Sequence, residues 1–164
     1  MTAPPPSLRV LVCGSADRGD DGAALQAVAH VLPRLEPDVR VRLEVRRCIQ
    51  LDAADVIEVA DGEACLVLDT VVGVEPGAVV ELALDDLADR GTIAPRSSHA
   101  LPIDQVLGIA RAVRGTLPRG RFVGIGGKWF GFGQVRSRAL RDGMADFEGV
   151  VESAIVQLAQ PTLA

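Results

Sequence analysis

The chain has 164 residues, 48% of them hydrophobic and 24% charged, the balance of a single soluble domain with room for an extensive core. Its formal net charge is −5 and its arginines are scattered, which argues against nucleic acid as the main partner. Aromatics make up 3%, with one Trp and no Tyr, so the expected core is aliphatic. The three cysteines, Cys13, Cys48 and Cys65, show no CxxC spacing, so neither a disulfide framework nor a zinc ribbon is indicated and reduced thiols in the cytoplasm are expected. No apolar stretch approaches the ~20 residues of a membrane span. The opening "MTAPPPS" lacks the basic and apolar regions of a signal peptide. Residues 1–7 are expected to be a flexible tail, and residues 8–160 one domain.

Leu8–Cys13 ("LRVLVC") is a short apolar run ending at Gly14, which suits a central strand. Ala24, Leu25, Val28, Ala29 and Leu32 then recur at helical spacing until Pro33 closes the segment. Val39–Val45 alternates apolar and charged residues, predicting a strand with one wet face. Leu51–Val59 carries a weak helical period. Ala64–Val72 ("ACLVLDTVV") is a second apolar run interrupted by one carboxylate, Asp69. Pro76-Gly77 predicts a turn into a strand over Ala78–Leu84, antiparallel to its neighbour. Asp85–Arg96 reads as polar and irregular. A helix is predicted from Pro102 through Val113, with Pro102 in the first turn. Arg121–Ile125 is a further strand, and the stripe from Phe147 to Leu158 marks a C-terminal helix. Strands alternating with helices predict an α/β protein, with helices on both faces of a mostly parallel sheet.

In such folds ligands bind beyond the carboxyl ends of the parallel strands, and three polar features fall there: Asp20-Asp21, Asp69 and His99. Asp20 or Asp21 can cap a helix, while the other points elsewhere. Asp69 is costly in an apolar strand unless paired, hydrogen-bonded or bound to a metal. His99 lies in the loop "RSSHALP", whereas His30, inside the first helix, reads as a solvated or packed side chain. Two carboxylates and an imidazole at one sheet edge suit a borderline divalent ion such as nickel or zinc, although their spacing is no local metal motif. The sequence has no GxSxG, HExxH or GxxxxGK[ST]. "GIGGKWFGFG" reads as a Gly-rich turn that sets Trp129, Phe130 and Phe132 near one rim, as core plugs or as a partner-docking patch.

"VLVCGSADRGDDGAALQAV" resembles the opening of the hydrogenase maturation proteases, whose signature is an apolar strand, Gly-Asn, a short loop, an acidic pair and Gly before a helix. "ACLVLDTVVGVEPGAVVEL" and "SSHALPIDQVLGIAR" are similar to two further segments of that family, in the same order. The resemblance runs from about Leu8 to Ile125. It implies a three-layer α/β/α sandwich of the phosphorylase/hydrolase-like kind, with a mostly parallel, mixed central sheet. It also implies that Asp21, Asp69 and His99 are the catalytic and metal-contacting residues, with Asp20 capping or bracing the turn.

The implied activity is that of an endopeptidase that removes a C-terminal peptide from the precursor of a [NiFe] hydrogenase large subunit, in the cytoplasm. Nickel would be carried by that precursor rather than held as a resident cofactor, and it would polarise the scissile carbonyl or activate water. Two alternatives use the same residues: a non-catalytic nickel-checking or chaperone-like binder of the large subunit, and another peptidase of the same fold that acts without nickel. Three positions depart from the family pattern. Ser15 stands where the family has Asn, "RRCIQLD" with Cys48 replaces a Gly-rich segment, and Gly127 stands where many relatives have Pro.

Overall fold

The computed structural model describes residues 6–90 and 101–161. Five strands, β1 Leu8–Cys13, β2 Leu43–Cys48, β3 Ala64–Val71, β4 Val79–Ala83 and β5 Gly120–Gly126, form one sheet in the order β2-β1-β3-β5-β4. Neighbours run parallel except β4, which pairs antiparallel with β5 at the edge. The described helices are α1 Ala23–Val31, α2 Pro37–Arg40, α3 Ala53–Ile57, α4 Leu84–Arg90, α5 Ile103–Arg114 and α6 Arg138–Leu158.

β1 and β3 are buried along their whole length, which is why both read as near-continuous apolar runs. Alternate side chains serve opposite layers. Leu8, Val10, Val12, Leu66, Leu68, Val123 and Ile125 pack with α1 and α6. Leu11, Cys13, Cys65, Val67, Val71 and Phe122 pack with α3, α4 and α5. The result is the expected three-layer α/β/α sandwich around a mixed, mostly parallel sheet.

Two predicted segments are corrected. The strand expected over Val39–Val45 lies instead at Leu43–Cys48, after a helical turn at Pro37–Arg40. Pro37 presets a helical φ, and Asp38 in the first turn favours the helix. Within Asp85–Arg96, expected to be irregular, α4 occupies Leu84–Arg90 with Leu84 and Leu87 buried three residues apart. One such pair is too short a pattern for periodicity to reveal. Pro102 occupies the cap of α5 rather than its first turn, and α6 extends back to Arg138, well ahead of its apolar stripe. The chain is anchored one residue before the expected domain start: the Ser7 amide donates to the Arg42 carbonyl at 2.8 Å and its hydroxyl to the Ala159 carbonyl at 3.2 Å.

Candidate active site

The loop after β1 folds back over itself. Gly14 has φ +128°, and a Cβ there would lie 2.0 Å from the Asp21 carbonyl oxygen, so only glycine lets the chain close this tightly. The Ser15 amide donates to Asp21 Oδ2 at 3.0 Å. That bond comes from the backbone, so having Ser rather than Asn at position 15 does not remove it. Asp20 and Asp21 then enter a 3-10 turn, Gly19–Gly22, whose four residues are all buried.

Asp20 is 0% exposed and caps neither this turn nor α1. Its Oδ2 accepts hydrogen bonds from the Lys128 and Trp129 amides at 2.8 and 3.1 Å and from the Ser137 hydroxyl at 2.7 Å. Its Oδ1 accepts from the Ser137 amide at 2.7 Å. Burial alone would raise its pKa, but the bonds from Ser137, Lys128 and Trp129 outweigh burial and hold the carboxyl below its ordinary value. Asp20 therefore braces the loop after β1 against the loop after β5 and the start of α6.

Asp69, two residues before the end of β3, is 5% exposed. It shares the sheet face of Val67 and Val71. The Thr70 amide donates to its Oδ1 at 2.8 Å. Burial pushes this carboxyl up to about 8; the Thr70 amide opposes that shift and nearby Cys48 adds to it. The Thr70 hydroxyl donates to the Asp20 carbonyl at 2.8 Å. That bond ties the end of β3 to the acidic turn, so Asp21 and Asp69 each sit one residue from the same link.

His99 lies outside the described residues. α5 begins four positions later, at Ile103, and packs on the sheet face that carries Asp69. Among the described residues no three His, Cys, Asp or Glu side chains form a ready metal cage; two of the three expected donors, Asp21 and Asp69, belong to that set. His30 is a surface residue paired with Glu148 at 2.5 Å, as the solvated reading expected. Trp129 is 45% and Phe132 83% exposed, so these two are not core plugs. Arg18 lies over the Phe132 ring, 5.1 Å from its centroid.

Three supporting residues escaped the sequence reading. Thr70 links the two acidic segments. Ser137 caps α6 through the Leu140 amide while binding Asp20. Arg136 donates to the Gly19 and Gln134 carbonyls at 2.6 and 2.9 Å. A serine at a helix start is a legible cap signal, but its second bond, to Asp20, is a tertiary fact. Gly127 donates its amide to the Val71 carbonyl at 2.9 Å, a bond that Pro could not make.

No family model matches the sequence, and no curated protein does. Solved structures do match. The hydrogenase maturating endopeptidase HybD from E. coli superposes with a TM-score of 0.71 at 17% identity, covering 92% of each chain. The [NiFe] hydrogenase maturation protease HybD from Thermococcus kodakarensis gives 0.59 at 21% identity, covering 93% of this chain and 99% of its own. An endopeptidase HycI from Escherichia coli gives 0.63 at 18% identity, covering 90% of each chain. From the first strand to the last helix, this chain has the fold of those maturation endopeptidases.

Proposed function

We propose that the chain is an endopeptidase that removes a C-terminal peptide from the nickel-loaded precursor of a [NiFe] hydrogenase large subunit. The observation that supports this reading best is the hydrogen bond between the acidic turn and the end of β3, from which Asp21 and Asp69 are each one residue away. It occurs in a chain whose fold matches named maturation endopeptidases. In this reading Asp21, Asp69 and His99 contact the nickel of the precursor. Burial disfavours an ionised Asp69, and a divalent cation arriving with the substrate compensates for that charge. The ion then polarises the scissile carbonyl or activates the attacking water. The chain's own residues hold the carboxylates in position and fix the loop beside them through Asp20.

The test is a processing assay on the large-subunit precursor, with and without nickel loading, read by intact mass. Loss of a short C-terminal peptide from the nickel-loaded precursor alone is the expected result. Asp21→Asn and His99→Ala should each lower that rate by at least about 100-fold; normal processing by both would sink the site assignment.

A further inference from the structure

Cys13 and Cys48 are the last residues of β1 and β2 and are register partners in the parallel ladder. Register partners project to one face of a sheet, so the two thiols are neighbours on that face. Adjacent strands lie about 4.8 Å apart, inside the roughly 4.4–6.8 Å Cα separation that a disulfide accepts. The Gly14 amide donates to the Cys48 carbonyl at 2.9 Å, which holds the two strand ends together. Cys13 is fully buried, while Cys48 is partly exposed. The neighbouring Cys13 thiol lowers the pKa of the Cys48 thiol, with burial opposing. Cys65 is buried on the same face but lies apart from this pair. It is level with Arg9, about 13 Å along the sheet from Cys13, and burial pushes its thiol up to about 12.

We propose that Cys13 and Cys48 form a redox dithiol site that a hydroperoxide converts into an intramolecular disulfide between β1 and β2. The Cys48 thiolate attacks one peroxide oxygen and the O–O bond breaks. The attacked oxygen stays on sulfur as a hydroxyl, making Cys48 a sulfenic acid. The other oxygen leaves as hydroxide or alkoxide and takes up a proton to become water or an alcohol, the peroxide having been reduced by two electrons. The Cys13 thiol attacks that sulfur, the S–S bond forms, the S–O bond breaks, and the hydroxyl departs with the Cys13 proton as water. A dithiol reductant reverses the change by thiol exchange. One register step beyond Val12↔Leu68 sets Cys13 level with Asp69 on the same face, so the disulfide forms beside the candidate site. The inference rests on the thiols alone and not on the peptidase reading.

The full chain is treated with hydrogen peroxide, quenched, unfolded and alkylated with N-ethylmaleimide, then read by intact mass and peptide mapping. The expected product takes up one maleimide on its three cysteines, at Cys65. Before alkylation it is lighter by two hydrogens, its Cys13 and Cys48 peptides are cross-linked, and dithiothreitol restores all three thiols. Cys48→Ser, a change at a partly exposed strand end, should keep both remaining thiols through the same treatment. Three maleimides on the treated wild type, a dimedone-reactive Cys48 with no cross-link, or a dimer joined through Cys48 would each overturn the proposal.

Discussion

The Asp20 carboxylate receives four hydrogen bonds, three from backbone amides and one from the Ser137 hydroxyl. An amide in its place would turn an NH2 group toward donors, leaving buried polar groups unpaired. Asp20→Asn should therefore cost about 2–4 kcal/mol at neutral pH, measured by urea unfolding. The sign with pH follows from its depressed pKa. Folded Asp20 binds fewer protons than unfolded Asp20, so its contribution is complete above the ordinary value of 3.8 and is lost as pH falls through the lower folded value. The gap between wild type and Asp20→Asn should close in acid. Asp69 behaves oppositely. Its folded pKa is raised to about 8, so the folded protein loses stability as pH rises from the ordinary carboxylate range to that value. In the nickel-free protein, Asp69→Asn should match the wild type near pH 4 and exceed it above pH 8, while processing is lost. A wild type that gains on the variant as pH rises would contradict the buried, proton-retaining Asp69.

At the scale of elements, the turn between β1 and α1 is shaped by what cannot be added to it. A methyl at Gly14 would meet the Asp21 carbonyl and would also force a side chain into φ +128°. Gly14→Ala should cost about 1–3 kcal/mol, and it should reduce processing by more than that loss of folded protein explains, because Asp21 must shift. Equal loss of folded protein and of activity would show that the turn is purely structural. Gly19 is similarly crowded: its Cβ would lie 2.4 Å from the Trp129 ring. α6 contributes at its N-cap, where Ser137 serves the helix and Asp20 at once. The helix that closes one layer of the core thereby also fixes the acidic turn.

Across the whole molecule, one sheet supplies both cores, because β1 and β3 send alternate side chains into each layer. Neither helical layer can leave without exposing that sheet, so unfolding should be cooperative. The single Trp, Trp129, sits in the loop held by Asp20. Urea transitions followed by Trp129 fluorescence and by far-UV circular dichroism should coincide. A fluorescence midpoint at lower urea would show that the site loops melt before the sheet.

The sequence by itself determined the three-layer architecture. Buried parallel strands must be apolar on both faces, so Leu8–Cys13 and Ala64–Val71 announced themselves, as did the stripe of α6. The lone carboxylate in the second run marked Asp69, since a charge there needs a reason. It could not place β2 or α4, because half-buried strands and two-turn helices carry patterns too brief to separate from their surroundings. The family resemblance assigned Asp21 to the metal contact, but the sequence left open whether Asp20 caps a helix or braces the turn. Only the tertiary structure decided that, through amides at 128, 129 and 137 that lie more than a hundred residues from Asp20. The Cys13–Cys48 pairing is of the same kind. Local sequence records what each residue prefers, whereas strand order and register decide which residues meet.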